Sequence, residues 1–171
     1  MPDKIEIIPL VGITCGEKRI CLLDSKETVI AILGEPCSVD ENKYYYCRNE
    51  LRLDFDKNGD VEFIEFLAGT KGMLQPEIYG VSAFGTDASV LYELLKDKNN
   101  GEIDDGEYGY SYGFLNTSVG IYRQLTPDSV AEMMEEAEDE GEPMDAEEIE
   151  YEMQKASHWA TIGIGIKDYY Q

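Results

Sequence analysis

A chain of 171 residues, 43% of them apolar and 12 of them tyrosine, has the length of one folded domain. That much aromatic surface offsets the entropy of ordering and argues against wholesale disorder. Its 36 acidic residues against 14 basic ones give a formal charge of −22, which disfavours nucleic acid and anionic membrane surfaces, since both are held through Lys and Arg.

The same imbalance attracts a cationic protein or peptide, or metal ions. At the N-terminal end Asp3, Lys4 and Glu6 interrupt the isoleucines, so no signal peptide is expected. Nothing approaches the ~18 apolar residues of a membrane span, and the chain is expected to be cytoplasmic. Ile5 to Ile13 reads as an opening strand and Arg19 to Leu23 as a second. Cys15, Cys21, Cys37 and Cys47 form no C-x-x-C pair, so they are expected to be reduced, buried thiols rather than zinc ligands.

Ser25 is a good N-cap for a helix through Val29, Ile30 and Leu33, which Gly34 and Pro36 end. Three strands are predicted next, over Lys43 to Cys47, Glu50 to Asp56 and Asp60 to Leu67, the last two joined by an Asn58-Gly59 turn. The second half repeats this plan. Thr86 takes the N-cap place of Ser25, and Val90, Leu91 and Leu94 echo Val29, Ile30 and Leu33. Tyr108 to Phe114 and Ser118 to Leu125 follow as strands, and Trp159 to Lys167 closes the copy, with Ile162, Ile164 and Ile166 alternating with smaller residues.

The predicted class is therefore α+β: one domain over 1–171, with an antiparallel sheet from two helix-plus-meander repeats at about 14–70 and 78–171. The second copy differs by a helical insertion over 126–157. Thr126-Pro127 starts its first helix, with Val130, Met133, Met134 and Ala137 on one face. A second helix starts near Asp145, with Ile149, Met153 and Ala156 on one side.

Asp128 to Glu152 holds thirteen acids and no Lys or Arg. Acids one helical turn apart, such as Glu132 and Glu136 or Glu135 and Asp139, repel by roughly 0.2–0.5 kcal/mol per pair. A folded helix tolerates that, so a solvated, solubilising face stays open as an alternative. A long structured insertion is also where binding surfaces are built. The expected contact residues for a basic partner are Glu132, Glu135, Glu136, Glu138, Asp139, Glu140 and Glu142, joined by Tyr108, Tyr110 and Tyr112 on one strand face, for which packing in the core or on the sheet is the alternative use.

Asp54, Asp56, Asn58, Gly59 and Glu65 satisfy the spacing of a calcium loop. Their flanks alternate with period two, as strands do, so the ordinary Asn-Gly turn is preferred and calcium or another cation is the alternative. No cofactor is expected. His158 is the sole histidine and has no recognisable nucleophile partner, which argues against catalysis. The glycines lack the spacing of a phosphate-cradling loop, and Gly109 and Gly113 are read as permitting close strand packing.

The run from Leu22 to Pro36, with Leu33-Gly34-Glu35-Pro36 ending its helix, precedes Tyr44-Tyr45-Tyr46 and the hairpin from Leu51 to Ile64. Over about the first 70 residues this resembles the repeat of the β-lactamase-inhibitor-protein-like fold. The resemblance implies a tandem helix-plus-meander architecture. That group includes inhibitors and outer-membrane assembly lipoproteins, and no lipobox cysteine is present here. What remains is similar to small acidic bacterial immunity proteins, which occlude a toxin and mimic its ligand's charge. The resemblance thus implies a non-catalytic inhibitor of a basic toxin domain.

Overall fold

A computed structural model describes residues 3–171. The first surprise lies at the N-terminal end. The expected opening strand is a hairpin of β1 (Ile5–Ile8) and β2 (Gly12–Cys15), because the chain turns back at Pro9-Leu10-Val11, with Leu10 at φ 66°. The Val11 N–H donates to the Ile8 carbonyl at 3.0 Å across this turn; Pro9 favours its second position, but a left-handed Leu at the third is uncommon, and the bend lies within an apolar run. Strand β3 (Lys18–Cys21) continues this meander.

Helix α1 (Lys26–Leu33) forms as expected: the Ser25 side chain accepts from the Thr28 N–H, and Gly34 follows at φ 85°. The chain then lays down β4 (Ser38–Asp40), β5 (Lys43–Tyr46), β6 (Leu51–Phe55) and β7 (Val61–Phe66) as an antiparallel meander. A 3-10 turn at Gly69–Lys71 leads to β8 (Glu77–Ile78) and β9 (Val81–Ser82). β8 pairs parallel to β1, and together these strands make a small five-stranded sheet, ordered β3-β2-β1-β8-β9, that the sequence reading did not separate.

Helix α2 (Ala88–Asn99) is capped by Asp87, whose carboxylate accepts from the Ser89 N–H, and not by Thr86. Two good N-cap residues stand side by side there, and the helix starts one residue later than expected. Ala88, Leu91 and Leu95 are buried, whereas Val90 is exposed. β10 (Ile103–Asp104), β11 (Ser111–Phe114), β12 (Val119–Tyr122) and β13 (Thr161–Gly165) form the second meander.

The two meanders join along their last strands, β7 against β13, with Ile64 opposite Ile164 and Phe66 opposite Ile162. The result is one eight-stranded antiparallel sheet, ordered β10-β11-β12-β13-β7-β6-β5-β4. Between β12 and β13 the chain inserts α3 (Pro127–Asp139) and α4 (Ala146–Ala156), which pack against each other. The architecture is α+β, as the sequence indicated.

One face of the large sheet carries Leu51, Leu53, Ile64, Phe66, Phe114, Val119, Ile121, Ile162 and Ile164, all buried. They share a single apolar cluster with Val29 of α1, Leu91 and Leu95 of α2, and Ile5, Ile7, Ile13 and Ile20 of the small sheet. Burying such side chains contributes about 1.5–3 kcal/mol each. Helices and small sheet thus cover one face and leave the other for different uses. The thiols are all free. Cys15 and Cys21 are half-buried, while Cys37 and Cys47 are exposed, contrary to the expectation of four buried thiols.

Candidate functional site

The acidic insertion is a folded helical hairpin. At its start Thr126 Oγ1 accepts from the Ser129 N–H at 3.1 Å and Ser129 Oγ accepts from the Thr126 N–H at 2.7 Å. The second helix repeats the device, with Asp145 and Glu148 capping each other's backbone N–H at 2.8 and 3.1 Å. These reciprocal caps satisfy donors that a helix start leaves open. Val130 and Ala156 are fully buried outside the main cluster, and Met133, Met134, Ala137, Ile149 and Met153 are half-buried. The hairpin has an apolar seam of its own.

Glu132, Glu135, Glu136, Glu138, Asp139, Glu140 and Glu142 are all exposed. The last turn of α3 contains Glu136, Glu138 and Asp139 and no basic residue. Negative charge at a helix C-terminus opposes the macrodipole by about 0.3–1 kcal/mol per charge, so this end of α3 is acidic against its own stability.

The foot of the hairpin is tied to the sheet by Arg123, just after β12. Its guanidinium donates to the Gly109 carbonyl at 2.9 Å and the Ala156 carbonyl at 2.8 Å, and lies 4.7 Å from the Trp159 ring centroid. Burial holds its pKa below the ordinary arginine value. Trp159, itself buried, donates from Nε1 to the Ala88 carbonyl at 2.9 Å, while the Ser157 carbonyl accepts from the Ala88 N–H at 2.7 Å. The end of α4 and the start of α2 therefore satisfy each other's open backbone groups.

The three tyrosines do not share a strand face. Tyr108 lies in the turn before β11, at φ 50° and 92% exposed, and Tyr110 precedes the strand and is half-buried. Gly106 and Gly109 permit this turn, which shortens the expected strand. Tyr112 alone is in β11, and it points to the core side, its ring tilted against Tyr92 at 4.6 Å and edge-to-face with Trp159 at 5.9 Å. Of the three, only Tyr108 is fully presented to solvent.

The calcium spacing folds as a hairpin. Asp56 Oδ1 accepts from the Asn58 and Asp60 N–H groups at 2.8 and 3.0 Å and shapes the turn, and Asn58 is exposed at its tip. Asp54 and Glu65 stand on the strands and are bound to Arg52. Asp54 receives a fork at 2.7 and 3.2 Å, and Glu65 lies 3.2 Å from the guanidinium. Burial opposes the Arg52 charge, but the Asp54 hydrogen bond and the Glu65 carboxylate outweigh it and raise its pKa; burial also raises the pKa of Glu65. Among the described residues no three His, Cys, Asp or Glu side chains are arranged to hold a metal ion.

A feature the sequence reading missed lies on the sheet face away from the core. Gly113, Gly120 and Gly163 stand opposite one another on β11, β12 and β13, continued by Glu65 and Arg52 on β7 and β6. This glycine lane receives Tyr170, whose hydroxyl would overlap a Cβ at Gly120. Tyr169 stacks on Phe63 at 4.6 Å. Burial, and then Glu65, push the pKa of Tyr170 far above the ordinary phenol value.

Beside Tyr170 is a depression of about 230 Å³ walled by Glu65, Asp104, Glu107, Tyr122 and Tyr170 over a floor of Gly113 and Gly120. Tyr122 and Thr161 on its rim are the strand residues that flank the helical insertion. Glu65 is already held by Arg52, but Asp104 and Glu107, which have no salt-bridge partner among the described residues, and two phenol rings suit an ammonium or guanidinium group, by charge and by cation–π attraction. The signal for it was in the sequence as cross-strand glycines, but glycine spacing locates a lane only once strand register is known.

Fold and surface together define an α+β protein with a continuous antiparallel sheet and an acidic helical outgrowth. Comparison of the chain with family models, with curated proteins and with solved structures finds no match. Among the described residues no helix is long and apolar enough to cross a membrane.

Proposed function

We propose that the chain is a non-catalytic binding inhibitor that clamps a basic protein, and that its partner is the basic domain of a bacterial toxin. The observation that carries this reading is the depression walled by Asp104 and Glu107 at the root of a helical hairpin whose exposed acids work against their own helix. A cationic side chain entering the depression meets carboxylates and tyrosine rings at once. A second cationic patch above it relieves the repulsion along α3. Both features carry one sign, and Tyr122 and Thr161 on the rim of the depression are the strand residues between which the hairpin is inserted. Complementary charge of this kind accelerates association and selects the partner.

The test is titration calorimetry against the product of the adjacent gene, at low and physiological salt. We expect tight binding that weakens as salt rises. Charge reversal of Glu135, Glu136, Glu138 and Asp139 to Lys is expected to weaken it at least a hundredfold, and Asp104→Lys with Glu107→Lys at least tenfold. Absence of binding, or affinity unmoved by both sets of reversals, refutes the proposal.

A further inference from the structure

Against the acidic surface described so far stands one cavity of the opposite character. Between α4 and the segment from Leu67 to Lys71 lies a pocket of about 570 Å³, within the usual range of small-molecule sites. Its twelve lining residues include no Asp or Glu, in a chain where 36 of 171 residues are acidic. They do include Lys71, Lys155 and His158.

Helical spacing explains how α4 achieves this. Tyr151, Gln154 and Lys155 recur at intervals of three and one along the helix, so they share one stripe, and His158 follows just beyond the end of α4. Glu147, Glu148, Glu150 and Glu152 fall outside the lining. The two lysines meet across one ring: Lys155 Nζ is 4.5 Å and Lys71 Nζ 5.2 Å from the Tyr151 centroid. Lys155 has Glu152 at 3.7 Å, a partly exposed contact, whereas Lys71 has no salt-bridge partner among the described residues. Two ammonium groups drawn to one phenol ring leave a net positive charge at the mouth. Leu67, Ala68 and Ala160 supply apolar wall.

We infer that this pocket binds a small organic anion, a carboxylate or phosphate carried on an apolar body. An inorganic ion alone would leave most of the volume empty, and a neutral apolar ligand would leave Lys71 without a counter-charge. The near acid, Glu152, is engaged by Lys155, and charges beyond about 8 Å are largely screened at physiological ionic strength. The site is separate from the acidic surface proposed to hold a protein partner, and its test does not depend on that partner.

The experiment is a nitrogen-15 NMR titration of the full chain with 2-naphthoate, with 2-naphthamide as the neutral isostere and phenyl phosphate as competitor. We expect saturable shifts at Lys71, Tyr151, Lys155 and Ala160 with a dissociation constant below about 1 mM. Naphthamide is expected to bind at least tenfold more weakly, phenyl phosphate to displace naphthoate, and the double variant Lys71→Ala, Lys155→Ala to lose at least tenfold in affinity. No saturable shift at these residues up to about 10 mM, equal affinity for naphthamide, or undiminished binding by the folded double variant overturns the assignment. Should the double variant fail to fold, the comparison of naphthoate with naphthamide on the unaltered chain still decides it.

Discussion

Replacing Arg123 by Met retains an unbranched apolar stem and removes the guanidinium that joins three parts of the molecule. Two hydrogen bonds from a charged donor are lost, to the Gly109 and Ala156 carbonyls, each contributing about 1.5 kcal/mol. The contact over Trp159 at 4.7 Å adds about 0.5–1 kcal/mol. Ala156 is the last residue of α4, so its carbonyl has no partner within the helix, and a cation there also complements the dipole. Relief from holding a half-buried charge returns about 1 kcal/mol, so the expected loss is about 3 kcal/mol. In a chain of this size that corresponds to a melting temperature lower by about 6–12 °C. Arg123→Lys keeps the charge but cannot fork to both carbonyls or stack as well, and should lose about half as much. Urea unfolding gives the free energies, and hydrogen exchange should show the last turn of α4 opening first. A Met variant within about 0.5 kcal/mol of the parent, with α4 equally protected, would refute the assignment of Arg123 as the hairpin's anchor.

Gly120→Ala should expel Tyr170 from its lane at a cost of about 1–3 kcal/mol, seen as a phenol that titrates at an ordinary value; retention of the raised value would show that the lane tolerates a methyl group. Ser118 sits at φ 52° in a tight turn and its buried hydroxyl has no hydrogen-bond partner among the described residues, so Ser118→Gly should stabilise by about 1 kcal/mol in calorimetry. Lysines in place of Glu136 and Asp139 should raise stability by about 1 kcal/mol while weakening capture of a basic partner, a divergence that a solubilising role would not produce. Burial raises Tyr46 to about 12 and also raises Tyr79, Tyr92, Tyr169 and Tyr170. A phenol whose folded value is raised is a stabilising group below its unfolded value and loses that contribution as pH climbs toward the folded one. Stability should therefore fall above about pH 10, by up to about 1.4 kcal/mol per pH unit for each such tyrosine. Ultraviolet titration should show these phenols ionising together with unfolding, and their smooth ionisation near pH 10 in a folded protein would contradict this.

Elements with explicit start and stop chemistry were legible from the sequence. Ser25 and Gly34 bounded α1, Asn58-Gly59 closed the hairpin of β6 and β7, and Thr126-Pro127 opened α3. What escaped was set by contacts distant in sequence. The parallel pairing of β1 with β8 joins Ile7 to Ile78, and no local pattern announces it. Leu10 takes the left-handed conformation that favours glycine, and Thr86 and Asp87 offered two equivalent caps. Tyr108 looked like a strand because its neighbours alternate, yet Gly106 and Gly109 turn the chain there. The thirteen acids of the insertion were visible at once, but Glu65, Asp104 and Glu107 come together only through the register of β10, β11, β12, β13 and β7. The residues of the depression are spread over 105 positions, from Glu65 to Tyr170, and no spacing rule spans that distance.

The strand order has a further consequence for how the molecule comes into being on the ribosome. β13 is laid down after every other strand, yet it occupies an interior place, between β12 and β7. Until it emerges, each meander has a bare inner border of unpaired amides, and the nascent chain holds two half-sheets that cannot zip together. The acidic hairpin precedes it in synthesis, so mutually repelling nascent copies would be kept apart during the interval when those borders invite illegitimate pairing.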